Sequence, residues 1–358
     1  MIKKHYGALY RAEKIGRGKA IHQILHFIPL ILHFIGRQLP CGFVRTIFAR
    51  NKNERFMKTV FVSSIVVLAC AASSVCCHAQ GYVSYDYISA STLKDKSGNE
   101  WGSGSMQIMS GSYNIPISVK HNDKGEVQAW SVSLYGAYGI LDNQGQAREL
   151  NPDRLFNGSL NVSHIRPISK KWSIIASIGG GIYAPTHEIA FRSILVNGGI
   201  IFVHKLNKNL DLGIGAGLTN SYGIPMVLPM LYLKWMKTGR YEFTINMSNG
   251  LKVAASTWLS KKIKIELAAI EMDGMSAVTK VEGKSKIYST VMIKSSISPS
   301  YQITPKASIY AGIGGNWARG VSISDRSIKG FANNFKENNG NREFGVSLRV
   351  TTGIRYRF

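Results

Sequence analysis

Beyond residue 77 the chain has no cysteine: its four, Cys41, Cys70, Cys76 and Cys77, all lie near the N-terminus. A disulfide framework, a thiolate metal site and a thiol nucleophile are therefore excluded from everything downstream. Acidic residues are also scarce, with 20 Asp and Glu against 44 Lys and Arg, a net charge of +24. No apolar run reaches the roughly 20 residues of an ordinary membrane-spanning helix. A mean hydropathy of −0.02 excludes a bundle of such helices. It does not exclude a membrane barrel, whose strands are apolar on one face only. Helical patterning is missing too, since no window longer than about twelve residues keeps an apolar stripe of period 3.6.

The chemistry-bearing motifs are equally thin. After residue 79 there are four histidines, His121, His164, His187 and His204, widely spaced. No His-Glu-x-x-His pair, Asp-rich calcium loop or phosphate-cradling glycine loop ahead of a helix occurs, so no metal and no cofactor is expected. His187-Glu188 and Ser163-His164 are adjacent in sequence, and neighbours in a strand face opposite ways. The glycines fall within strands, as in 179–181 and 213–217, where they suit curvature and close packing.

What is present begins with MKTVFVSSIVVLACAASSVCCHAQ from Met57. Lys58 supplies a short positive region, Val60 to Ala72 an apolar run, and Cys77-His78-Ala79 the small residues that a signal peptidase reads. Cleavage after Ala79 is expected, leaving Gln80 first. Val67-Leu68-Ala69-Cys70 offers a lipobox-like alternative. A signal peptide acts at the N-terminus, so residues 1–56 read as an upstream extension with Met57 the initiator; a long signal region or a membrane-surface helix are the alternatives. The remaining 279 residues carry 32 Lys and Arg against 18 Asp and Glu, a net charge of +14.

The body alternates apolar and polar residues in window after window. AWSVSLYGAYGI sets Trp130, Val132, Leu134, Tyr138 and Ile140 against Ser131, Ser133, Tyr135 and Gly139. YEFTINM and KIKIELA repeat the pattern. Side chains that alternate with period two line opposite faces of a strand. Fourteen strands are predicted near 82–90, 104–118, 128–140, 156–166, 172–183, 194–206, 209–218, 229–237, 240–248, 251–259, 262–270, 286–299, 306–315 and 342–358. The first and tenth are weak enough to lower the count to twelve. Tight polar turns (167–170, 207–209, 237–240, 260–262, 303–306) alternate mostly with longer loops, near 91–103, 141–155, 184–193, 271–285 and 316–341. That asymmetry, with both ends on the short-turn side, predicts an all-β, closed antiparallel transmembrane β-barrel of about 12–14 strands over residues 80–358. No second domain is indicated.

The chain ends FGVSLRVTTGIRYRF. Phe344, Val346, Leu348, Val350, Ile354, Tyr356 and Phe358 fall on one face; Glu343, Ser347, Arg349, Arg355 and Arg357 fall on the other. A soluble sandwich strand explains the alternation, but less easily the length. In a barrel, Phe344, Leu348 and Tyr356 face lipid while Arg349 and Arg355 face the lumen. Trp130, Trp172, Trp235, Tyr241 and Tyr356 lie near turn-side ends, as an interfacial girdle requires.

Leader, all-strand body and ending together resemble a Gram-negative outer-membrane β-barrel protein. The terminal Phe358, with Tyr356 and Ile354 behind it, resembles the signal read by the barrel-assembly machinery. YGIPMVLPMLYLKW (222–235), through Pro225, Pro229, Leu233 and Trp235, resembles a stretch of an uncharacterised outer-membrane barrel family common in Bacteroidota. The resemblance implies an outer-membrane location, lipid and the secretion and assembly machinery as partners, and no reaction.

The basic excess on an exported strand protein argues against nucleic acid. Arg349, Arg355, Arg357, Lys262 and Lys264 are candidate lumen cations, with Glu343 and Glu266 as candidate partners. Left unpaired they would attract small anionic solutes through a monomeric channel; paired they would fill the interior of a structural or surface-binding barrel. Contact with acidic headgroups at a rim is a third use. A lipid-directed barrel enzyme would need His and Ser or Asp to converge on one rim. Loop 316–341 is expected to plug the lumen or face outward.

Overall fold

The computed structural model describes residues 80–121, 126–247, 250–333 and 342–357. The extension 1–56, the leader 57–79 and Phe358 lie outside the described residues. The strand segments are β1 (Gln80–Lys94), β2 (Glu100–His121), β3 (Val127–Gln144), β4 (Arg154–Pro167), β5 (Trp172–Pro185), β6 (Ile194–Lys205), β7 (Leu210–Thr219) and β8 (Met226–Lys237). They continue as β9 (Tyr241–Asn246), β10 (Leu251–Trp258), β11 (Ile263–Asp273), β12 (Ser276–Val281), β13 (Lys284–Thr304), β14 (Ala307–Asp325), β15 (Arg342–Phe344) and β16 (Ser347–Arg357).

Both β11 and β12 pair with β13, and both β15 and β16 lie between β14 and β1, so the segments make fourteen strands. Neighbours pair antiparallel, and β16 pairs with β1 from Gln80↔Arg357 to Ile88↔Arg349, which closes the sheet. Closure leaves neither the first nor the last strand of the wall with an open edge, and in hydrocarbon each unpaired backbone group would cost several kcal/mol. The two weak strands of the sequence reading are β1 and β10.

The alternation sorts as expected through the middle of the wall. Leu160, Ile178, Ile214, Leu231, Ile313 and Leu348 stand exposed on the outer face. Their neighbours Arg349 and Thr351 are buried on the inner one. At the turn-side end Trp130 stacks on His164 at 4.1 Å and Trp172 packs on His204 at 4.4 Å, cross-strand pairs that place two of the four histidines in the girdle. A charge in the belt should be costly. Ile178→Arg is expected to lower folding stability by about 2–4 kcal/mol, measured by denaturant titration in lipid vesicles, whereas Ser177→Arg, one residue earlier and facing the lumen, should cost well under half of that.

Near the loop side the alternation slips by one residue on several strands. β11 carries an extra residue between Ala268 and Glu271, β1 between Ile88 and Ser91, and β14 at Trp317, where Lys294 pairs with Asn316 and Ile293 with Ala318. Gly345 and Val346 separate β15 from β16. Bulges of this kind re-aim every later side chain. Phe344, expected on the lipid face, is consequently turned inward and wholly buried. Glu343, expected in the lumen, is turned outward to the exposed rim opposite Lys94.

A second correction concerns 271–285, which reads as a loop in the sequence and is a hairpin. β12 and β13 join through Glu282 and Gly283, both at positive φ (51° and 77°), the backbone of a two-residue primed turn. At its base, Gly274 lies so close to β13 that an added Cβ would sit 1.8 Å from the Thr290 carbonyl oxygen. That close approach lets β12 leave the line of β11 and turn into the barrel. Likewise 316–325, read as loop, continues β14, and a short helix (Ile328–Asn333) follows.

Candidate functional site

The lumen has two halves of different chemistry. In the central and turn-side half, side chains of alternating charge form a chain along one wall. Arg355 Nη2 donates to Glu266 at 3.1 Å, Lys252 Nζ donates to Glu266 at 2.8 Å and lies 3.5 Å from Glu271. Arg349 then bridges Glu271 and Asp86, its Nε 2.8 Å from Asp86 Oδ1. Strands β16, β11, β10 and β1 each contribute, and β11 reaches Arg349 over the two strands that lie between them. Two further pairs extend the wall, Lys264 with Glu242 at 2.5 Å and Lys294 with Asp273 at 2.6 Å. Arg355 also lies over the Tyr310 ring at 4.3 Å. The opposite wall is neutral and hydroxyl-rich, with Ser131 bonded to Ser163 at 2.7 Å and Ser133 to Asn114 at 2.8 Å. The inward-facing Tyr82 and Tyr135 remain 38% and 36% accessible, so this half is a vestibule open to solvent.

Toward the loop side the bulges bring apolar residues inside. Leu93, Met106, Leu155, Ala277, Met292 and Phe344 pack there with almost no exposure. Arg319 crosses this layer, its guanidinium 3.6 Å from the Phe344 ring and its Nη2 donating to the Gly104 carbonyl at 2.9 Å. Over the layer lies the β12–β13 hairpin, and β12 meets β4 and β5 from across the barrel. Asn157 of β4 clasps it by both amide atoms, accepting from the Ser276 N–H at 3.2 Å and donating to its carbonyl at 2.5 Å. Glu188, in the β5–β6 loop, accepts from Thr279 Oγ1 at 3.0 Å and from the Lys280 N–H at 2.9 Å. Tyr288 donates to Asn151 at 2.8 Å. Arg326, just beyond β14, ties the remaining loops by donating to the carbonyls of Ser221 at 2.9 Å and of Arg192 and Asn220 at 3.2 Å. Burial lowers its pKa from the usual arginine value. A cavity of about 300 Å³ remains outside the hairpin, between His187, Glu188, Lys280 and the 148–153 segment.

The candidate lumen residues thus divide. Arg349, Arg355, Lys264 and Glu266 face the lumen and are all paired. Lys262 does not belong with them: it lies in the exposed β10–β11 turn, where its N–H donates to Ser260 Oγ. Arg357 reaches only the exposed turn-side rim, and Glu343 is outward as described above. Of the assembly-signal residues, Ile354 is 53% exposed on the outer face, and Tyr356 pairs with Gly81 and Ala307 at the turn-side end. Asp86, Lys252 and Glu271 complete the charge chain and were missed. Asp86 was legible, on the polar face of YVSYDYI with Ser84; Glu271 was hidden by the bulge before it.

Solved structures that match the chain include outer-membrane proteins. The COG4313 outer membrane channel from Pseudomonas putida F1 matches at 8% identity and a TM-score of 0.40, over 78% of this chain and 95% of that one. The Pseudomonas putida toluene transporter TodX matches at 10% identity and 0.32, over 78% and 90%. The outer membrane protease OmpT from Escherichia coli matches at 12% identity and 0.23, over 78% and 97%. No curated protein matches the sequence. A family whose description is "Domain of unknown function (DUF6268)" matches residues 75–357, the whole of the described barrel. The chain belongs to that family, DUF6268.

Proposed function

We propose that the protein is a monomeric outer-membrane barrel, delivered by the secretion machinery and inserted by the assembly machinery, whose lumen is shut on the loop side at rest. Its working surface is then the roofed mouth, and it serves as a structural or surface-binding barrel. One observation carries this reading: β12 turns into the lumen and is held by Asn157 and Glu188 above a buried apolar layer. Pairing of the lumen cations also weighs against a resting anion route, because a neutralised wall focuses little field. Planar-bilayer recording of the refolded protein tests it. Current at the lipid background, with insertion confirmed separately, is the expected result; steady open-channel steps from the unmodified protein overturn it.

The second reading, a passive channel for small anionic solutes, draws on the vestibule. Tyr82, Tyr135 and the serine wall already form an open passage through half of the barrel. On that reading the hairpin is a movable gate, and solute flux appears only when it swings out.

A further inference from the structure

The net charge of +14 outside the leader has to reside somewhere. It is not in the lumen, where Arg349, Arg355, Lys252, Lys264 and Lys294 each meet a carboxylate. The loop side mixes signs and pairs them, as Lys94 with Glu100, Arg192 with Glu188, and Lys286 with Asp325. The short turns are different. Five of the six, at 168–171, 206–209, 238–240, 259–262 and 305–306, contain no Asp or Glu, and each carries at least one exposed lysine or arginine; the sixth, between β2 and β3, is mixed in sequence, with Asp123 and Glu126 beside Lys124. Lys171, Lys208, Arg240, Lys262 and Lys306 represent the five in order around the rim, and Arg357 fills the gap at the closing strand. Just inside this ring on the outer wall stand Trp130, Trp172 and Tyr241, at 44%, 44% and 55% exposure.

We infer that this basic ring is a docking collar for anionic phospholipid headgroups of the turn-side leaflet. The chemistry matches part by part. The aromatic residues mark the depth of the headgroup boundary. Ammonium and guanidinium groups beyond them reach the phosphates, with their aliphatic stems lying over the apolar wall. Cations near an anionic surface concentrate its lipids, and the attraction fades within a Debye length, so it is sensitive to salt. A ring, rather than one patch, selects a shell of lipids and fixes the barrel's depth and tilt.

This inference rests on the barrel lying in a membrane, and the test separates the two. The protein is reconstituted into nanodiscs of three parts phosphatidylcholine to one part phosphatidylglycerol, and the lipids retained on the released barrel are counted by native mass spectrometry. A several-fold rise in the ratio of phosphatidylglycerol to phosphatidylcholine over the bulk ratio is expected. Changing Lys170, Lys171, Lys208, Lys261 and Lys262 to Gln should return the retained lipid to the bulk ratio; changing the loop-side Lys96, Lys280 and Lys284 to Gln should not. Enrichment should also collapse in high salt. Equal enrichment in both variants, or none in the unmodified protein, overturns the collar while leaving the barrel intact. Failure to enter nanodiscs at all would instead overturn the membrane reading.

Discussion

Excising residues 276–283 and bridging Met275 to Lys284 with a flexible Gly-Ser linker of about eight residues, long enough to span the roughly 20 Å between them, should turn a non-conducting barrel into a conducting one. The expected rise in bilayer current is at least an order of magnitude above the lipid background, in discrete steps. A closed sheet of this many strands has room for an aqueous channel unless something fills it. The filling here is asymmetric. The turn-side half is open to solvent, and the loop-side half is closed by the hairpin, whose Ala277 is fully buried, and by residues packed beneath it such as Leu93 and Met106. Removing β12 deletes no member of the closed sheet, because β13 keeps its pairing to β11 and to β14. The barrel should therefore still fold, shown by unchanged strand signal in circular dichroism and by the heat-modifiable gel shift of a folded barrel. A gentler variant separates gate from plug. Asn157→Ala with Glu188→Ala removes the bonds that hold β12 without shortening the chain, and brief openings should appear on a closed baseline. If the excised protein folds and inserts yet stays silent, the apolar layer alone seals the lumen and the hairpin is not the gate.

The sequence carried the wall well and the plug badly, for one physical reason. A strand with lipid on one side and water or polar side chains on the other must alternate, so YEFTINM and the last eleven residues of the described chain announce both their structure and their facing. Alternation read at fixed period fails wherever a bulge adds a residue. Phe344 and Val346 belong to one series on paper, yet Val346 is 64% exposed and Phe344 is wholly buried. The same slip hid Glu271 and misassigned Glu343. The hairpin was lost differently: Glu282-Gly283 is a primed turn with Glu in place of the usual Asn or Asp, so the stretch around it passed for a loop. Contacts across a lumen, such as Arg349 with Glu271 or Asn157 with Ser276, join residues 78 and 119 positions apart and have no local signal at all.

Arg349→Met should destabilise the barrel by about 3–5 kcal/mol, the cost of leaving buried charge without its partner. Arg349 and Asp86 are 5% and 6% exposed, and Glu271 is the other carboxylate on the same guanidinium. Removing the cation leaves two carboxylates facing each other, and Lys252, 3.5 Å from Glu271, is already engaged with Glu266. The comparison that gives the number meaning is Lys264→Met. That side chain and Glu242 are 23% and 28% exposed, solvent screens them, and the loss should be about 1 kcal/mol or less. Adding Asp86→Asn and Glu271→Gln to Arg349→Met removes the stranded charges and should recover most of the stability, because replacing a whole buried ion group is often nearly neutral. Urea titration into and out of lipid vesicles, followed by tryptophan fluorescence, measures all three. A loss for Arg349→Met no larger than that for Lys264→Met would mean that the lumen wets the centre of the charge chain as fully as its end. The wall would then be a solvated ladder, and the solvent-open vestibule would extend past Arg349 to the underside of the apolar layer.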